Sequence, residues 1–286
     1  MLSTALFIIW FSALAFLITR LLKKQAALSP AIAVCAFAFK VLAGCLYGYV
    51  HLRYYQGDDT WAYNAESMEE YAKLVRQPLV FFAGLWPDTI QSSESLLDYV
   101  FNNLERNLTV KLLALFNLFS RGNYYVNVIF FNFLLFWGHY RLFIFLDRRF
   151  PGKRQALLIF IFFIPTTAFW LSGIRGDGIV FLFTALLFAE FNKWLTAKRA
   201  IHLFTSLLCL AGIFIFRSAV MMVLVPFLLS WGISSRLGKK PLPVYLVTYF
   251  LIAVIFFAVY LFGVDHMWAF LLTQLETLLN KLTGAG

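Results

Sequence analysis

With 286 residues, 62% of them hydrophobic and 13% charged, and a mean hydropathy of +0.78, the chain is far more apolar than a soluble domain, whose apolar share is roughly 45–50%. It reads as a polytopic membrane protein. The net charge of +10 does not signal nucleic acid, because the basic residues sit between apolar runs and not in an aromatic-interleaved patch.

A membrane span needs roughly 20 apolar residues. On that measure eight helices are expected, at about residues 2–22, 30–52, 124–146, 156–171, 179–194, 201–216, 219–233 and 244–262. No Lys or Arg precedes the first run and no small-residue cleavage site follows it, so it reads as a retained helix and not a cleaved signal. The sixth and seventh are short and separated only by Arg217-Ser218, which also admits one broken or re-entrant hairpin. Cys35, Cys45 and Cys209 lie inside apolar runs without metal-ligand spacing and read as small buried hydrophobes.

Lys and Arg collect in alternate connections: Arg20, Lys23 and Lys24; Arg148, Arg149, Lys153 and Arg154; Lys193, Lys198 and Arg199; Arg236, Lys239 and Lys240. The positive-inside rule makes these connections cytoplasmic and puts both termini on the outer face. Residues 53–123 form a long first outer loop with the opposite balance, holding nine of the chain's 14 acids. Apolar spacing over 67–75 and 96–119, with Leu104, Leu108, Leu112 and Leu115 recurring at three or four, predicts amphipathic helices on the membrane surface. Gln77-Pro78 and Trp86-Pro87-Asp88 mark turns. Another surface helix is expected over 265–282. The fold class is thus all-α: one membrane domain over residues 1–286, a polytopic bundle of about eight transmembrane helices with amphipathic surface helices in the first outer loop.

The most chemically suggestive stretch is Gln56-Gly57-Asp58-Asp59-Thr60-Trp61-Ala62-Tyr63, where the second apolar run meets this loop. Asp58 and Asp59 suit a general base or a metal ligand. Equally, they suit a solvated pair or a helix N-cap at Asp59 or Thr60. Arg175, in Ser172-Gly173-Ile174-Arg175-Gly176-Asp177-Gly178, presents a planar fork for phosphate or carboxylate, or else pairs with Asp177 in a tight turn. Arg217 either binds an anion or snorkels to the interface. Lys40 stands mid-membrane, where an ionisable group is a functional candidate by default; the plainer reading is an inward Lys paired with a carboxylate or backbone carbonyl. Glu190 and Asp147 are expected at the interface. His51, His139, His202 and His266 are scattered, without metal-site spacing.

The acidic-aromatic motif opening a long outer loop, the Ser172–Gly178 turn and the Arg after a short helix together resemble the C-type integral membrane glycosyltransferases, which take sugars from polyprenyl-phosphate carriers. The resemblance covers roughly residues 30–262. It implies an inverting transferase at the outer face of a bacterial inner membrane, with Asp58 or Asp59 as the base on the acceptor hydroxyl. Arg175 and Arg217 would bind the lipid phosphate, and Trp61 or Tyr63 would stack on a sugar, with Asp177 and Lys40 as further substrate-side groups. No cofactor is implied; the one candidate position for a divalent metal is Asp58 with Asp59. The implied partners are membrane lipid, a polyprenyl-phosphate-linked sugar, an acceptor glycan, lipid or protein, and a membrane protein that supplies acceptor recognition. Against the pattern, the chain carries an extra helix before the one leading to Asp58, and the intramembrane Lys40. Two other readings stand beside it. One is a transporter or lipid flippase using Lys40, Thr166, Thr167 and Ser206, with helix breaks at Pro165 and Pro226. The other is a non-catalytic subunit of an envelope-assembly complex.

Overall fold

Twelve α-helices and one π-helical turn make up the computed structural model, which describes residues 2–23, 28–85, 103–238 and 240–262. The turn expected at Trp86-Pro87-Asp88, the start of the helix expected from residue 96, and the helix expected over 265–282 lie outside them. The helices are α1 (Leu2–Leu22), α2 (Pro30–Tyr54), α3 (Asp58–Arg76), α4 (Pro78–Ala83), α5 (Leu104–Ser120) and α6 (Tyr124–Arg149). There follow α7 (Arg154–Leu158), the π turn Ile159–Phe163, α8 (Pro165–Ser172), α9 (Gly176–Ala197), α10 (Ala200–Phe216), α11 (Ser218–Leu237) and α12 (Pro241–Phe262).

Five of these, α1, α2, α6, α9 and α11, are long and apolar enough to cross a membrane. The segments Arg154–Phe163 and Pro165–Ser172, bent by 46° at their junction, make a sixth if taken as one span. The bend falls at Ile164, which Pro165 forces into extended backbone. The protein is therefore a multi-pass membrane protein, with five or six candidate spans by length and composition among the described residues where eight were expected. Ala200–Phe216 and Pro241–Ile255 are apolar but shorter. The 17 residues of α10 reach only about 25 Å at 1.5 Å per residue, short of a hydrocarbon core of about 30 Å.

The chain forms two compact units, Met1–Met221 and Met222–Gly286. In the second, Phe227 packs on Tyr245 with ring centroids 5.6 Å apart, and the Tyr249 hydroxyl donates to the Val223 carbonyl. In the first, the core is aromatic: Phe37 of α2 meets Phe11 of α1 and Phe136 of α6, and Phe136 meets Phe162 of the π turn. Small residues let α2 approach its neighbours closely, with Ala33, Ala36, Ala43, Gly44 and Gly48 on its buried side. Cys35 is exposed, correcting the expectation of three buried thiols; only Cys209 is fully buried.

Contacts fix the helix directions. Along α6 and α9, Gly178 abuts Leu135, Gly138 abuts Leu182, and Arg148 and Arg149 wall one cavity with Asn192 and Lys193, so these helices run parallel. On α2, Gly48 faces Tyr124 and Lys40 faces His139, so α2 runs opposite to α6. The starts of α6 and α9 and the end of α2 thus share one end of the unit. The basic residues following α6 and α9 share the other.

The described parts of the long acidic loop, residues 53–85 and 103–123, form a packed layer at the first end. Its polar residues face inward: Asn117 donates to Ser67, and Asn127 donates to both Asn64 and Asn117, tying α3 and α5 to the start of α6. Lys111, buried, bonds Glu70 and the Phe81 carbonyl. The stripe of Leu104, Leu108, Leu112 and Leu115, read as the apolar side of a helix on the membrane surface, is not the face packed into the protein. Thr109, Val110, Leu113, Ala114 and Asn117 are buried instead, and Leu115 is 38% exposed. The polar network selects the inward face because buried amides must find partners, while the leucines are free to meet lipid.

Trp61 anchors this layer. Its indole N–H donates to the Gly48 carbonyl at 2.9 Å, and its ring stacks on Tyr124 at 4.0 Å. Trp61→Phe keeps the stack and removes the hydrogen bond. A lowered midpoint of thermal unfolding in detergent is expected, corresponding to about 1 kcal/mol.

Candidate functional site

The turn joining α2 to α3 carries three consecutive residues with positive φ: Gln56 at 56°, Gly57 at 111° and Asp58 at 43°. Only glycine adopts the Gly57 conformation without penalty. Asp tolerates the left-handed region because its short polar side chain bonds locally, though a non-glycine residue there costs about 1–2 kcal/mol. The turn is held by the His51 carbonyl, which accepts from the Tyr55 and Gly57 N–H groups. Gly57 is the N-cap of α3 without a side-chain cap bond, so neither Asp59 nor Thr60 caps the helix. Asp58 and Asp59 occupy the first helical turn, where the α3 dipole favours negative charge.

This geometry separates the two carboxylates. Asp58 Oδ2 lies 3.7 Å from His51 Nε2, and Asp58 lines a cavity of about 420 Å³ with Val50, His51, Tyr55, Phe169, Trp170 and Arg175. Asp59 does not line it; its charge acts on Tyr63 and Arg106 instead. Burial first, then Asp59 and Glu105, push the Tyr63 phenol above its ordinary value. Neither Trp61, whose ring is stacked on Tyr124, nor Tyr63 lines the cavity.

His51, overlooked as one of four scattered histidines, is the inner wall. It is buried, stacks on Tyr47 with centroids 3.8 Å apart, and its Nδ1 lies 2.8 Å from the Tyr47 carbonyl. Since a carbonyl only accepts, Nδ1 carries a proton. In the neutral ring Nε2 is then a bare acceptor facing Asp58.

Arg175 enters from the α8–α9 turn. Its Nη1 donates to the Tyr47 hydroxyl at 3.0 Å, its Nε is 3.7 Å from Asp177, and its guanidinium lies 5.9 Å from the Trp170 ring. Burial alone would lower its pKa. The Tyr47 hydrogen bond with the nearby Asp177 and Asp58 carboxylates outweighs it, so Arg175 titrates above its ordinary value and stays cationic. Gly173 matters here by close approach, since a Cβ on it would enter the Tyr47 ring.

Arg217 is already engaged. It donates to Asp177 at 3.2 Å and to both oxygens of Glu105, at 3.2 and 2.9 Å. Burial pushes the Glu105 carboxyl above the usual carboxylate range, and Arg217 draws it part of the way back. Glu105 escaped sequence reasoning because it lies 112 positions from Arg217, beyond any local spacing signal.

Lys40 sits deeper and is 1% exposed. It pairs with neither of the partner types expected of it: its Nζ donates to the Ser172 hydroxyl at 3.0 Å and lies 3.4 Å from His139 Nε2. His139 Nδ1 bonds the Leu135 carbonyl, leaving Nε2 to accept from Lys40. Asn132 donates to the Ser172 carbonyl, and its own Oδ1 is buried without a partner. Ser172 is thus gripped through both oxygens, three residues before Arg175. Among the described residues, no three His, Cys, Asp or Glu side chains gather to hold a metal ion.

These features define a multi-pass membrane protein with a cavity at one end of its first helical unit, lined by a carboxylate, an imidazole, a guanidinium and aromatic rings. Compared with known proteins, the sequence matches no family model, and no curated protein and no solved structure aligns with it significantly.

Proposed function

We propose that the chain is a C-type membrane glycosyltransferase, moving a sugar from a polyprenyl-phosphate carrier to an acceptor at the outer face of a bacterial inner membrane. The observation that carries this reading is that Asp58 and Arg175, far apart in sequence, line one aromatic-walled cavity of a size suited to a small ligand. Asp58 takes the proton of an acceptor hydroxyl as its oxygen bonds to the anomeric carbon. The bond from that carbon to the phosphate oxygen breaks, and polyprenyl phosphate leaves with the electron pair. Attack opposite the leaving group inverts the configuration. Arg175 faces the charge that grows on the phosphate, and bare His51 Nε2 is placed to take the proton on from Asp58. Arg217, bonded to Asp177 and Glu105, holds the neighbouring turn and leaves phosphate contact to Arg175. Trp170 and Tyr55, not Trp61 and Tyr63, present rings to the sugar.

In this reading the basic connections face the cytoplasm. The test is binding of a polyprenyl-phosphate-linked hexose to the purified chain. Arg175→Met should weaken it tenfold or more, about what loss of a hydrogen bond to a charged group costs. Unchanged affinity would remove the proposal's anion site.

The buried cluster of Lys40, His139, Ser172 and Asn132 favours one competing reading, a transporter with a polar path through the bilayer. Solute movement across vesicles that requires Lys40 and survives Asp58→Asn would replace the enzyme by that transporter.

A further inference from the structure

The far end of the α6–α9 pair holds a second cavity, of about 330 Å³, walled by Arg141, Arg148 and Arg149 of α6 and by Asn192 and Lys193 of α9, with Phe145 at its apolar side. At 1.5 Å per residue, Arg148 lies about 36 Å along α6 from Tyr124, beside the Asp58 cavity's end of the helix. That exceeds a hydrocarbon core of about 30 Å, so the two cavities open at opposite membrane surfaces.

The charges here are unbalanced. Lys193 is paired with Glu190, which also binds His202, and Asp147 is paired with Arg154. Among the described residues no carboxylate pairs with Arg141, Arg148 or Arg149. Favourable interaction with the α6 dipole accounts for cations in its last turn, Arg148 and Arg149. It does not account for Arg141, two turns earlier, nor for the convergence of cations from two helices on one hollow. Snorkelling would carry each arginine outward separately. Guanidinium forks match the oxygens of a phosphate, and basic pockets between spanning helices suit lipid headgroups.

We propose that this cavity is a binding site for a phosphate-bearing anion, with the headgroup of an anionic phospholipid in that leaflet as its source and its acyl chain lying past Phe145. The site is independent of the transferase reading. The test uses the full chain in a neutral detergent, titrated separately with phosphatidylglycerol, phosphatidylcholine and inorganic phosphate, with binding read by native mass spectrometry and by the thermal midpoint.

Phosphatidylglycerol should bind and raise the midpoint, and phosphatidylcholine should not. Each of Arg141→Gln, Arg148→Gln and Arg149→Gln should weaken binding about fivefold, the worth of one basic residue near a charged lipid surface. The triple variant should weaken it roughly a hundredfold, with the three single variants keeping the test open if the triple does not fold. Protection by inorganic phosphate at matched concentration, lost in the same variants, would support the anion site and assign it a soluble source. Equal binding of the two lipids, or wild-type affinity in the variants, would overturn it.

Discussion

Asp58→Asn is expected to lower sugar transfer by about 10²–10⁴-fold, the usual contribution of a positioned general base, while Asp59→Asn leaves most of the activity in place. The contrast follows from the α3 start: Asp58 lines the cavity with Arg175 and lies 3.7 Å from His51, while Asp59 does not line it. Asparagine keeps the size and the tolerance for left-handed backbone at this position, so folding is preserved and the loss reports on chemistry. Transfer would be followed with a polyprenyl-phosphate-linked sugar and matched amounts of folded protein. Equal losses in the two variants would point to the charge of the α3 start as a whole. Retained activity in Asp58→Asn would end the assignment of Asp58 as the base.

Gly44→Val should lower the midpoint of thermal unfolding sharply, by an amount corresponding to about 1–3 kcal/mol or more, because nothing at this crossing can give way cheaply. A Cβ on Gly44 would lie 2.5 Å from the Ser172 carbonyl oxygen, and 2.8 Å from both Asn132 Nδ2 and Val128 Cγ1. The first of these is backbone and the second is fixed by its bond to that same carbonyl. Leu42→Ala on the lipid side of the same helix, where Leu42 is 66% exposed, should change the midpoint little. The steric push at Gly44 also displaces Ser172, and with it the turn that carries Arg175. Binding of the polyprenyl-phosphate sugar should therefore fall in Gly44→Val even at temperatures where the protein remains folded.

Much of the architecture was legible in the residues. Seven of the eight apolar runs that read as membrane helices are each a single helix among the described residues. Residues 156–171 fold as α7, a π turn and α8 with the bend at Pro165, while Pro226 sits inside α11 without breaking it. Helix existence is a local property of long apolar runs, and it survives tertiary context. The number of spans is a finer matter, since an apolar helix of 17 residues lies at the short end of the lengths that cross a bilayer.

The site shows the same division. Asp58 and Arg175 stood out because a charge beside an apolar run is conspicuous. His51 did not, since an imidazole within a helix has no pattern until Tyr47, one turn earlier, and Asp58, past the turn, are seen to hold it. Glu105, His139 and Ser172 were hidden for a related reason, as each acquires its role from a partner on another helix. Leucine spacing marks α5 as an amphipathic surface helix, but not the side that packs into the protein, where its asparagine and threonine are buried. In a chain bathed in lipid, apolar periodicity no longer marks the inside, because leucine is as well solvated by acyl chains as by protein.

The sequence alone therefore determined that this is an all-α, multi-pass membrane protein with a long acidic loop after its second apolar run and basic residues collected in alternate connections. Those properties follow from run length and charge counting, which act on each segment separately. The tertiary structure alone decided which of two adjacent aspartates faces a cavity, that Arg217 is occupied while Arg175 looks into that cavity, and that three arginines wall one hollow with no carboxylate paired to them among the described residues. Such outcomes depend on the close approach of α2, α6 and α9, and on hydrogen bonds between residues that only folding brings within reach.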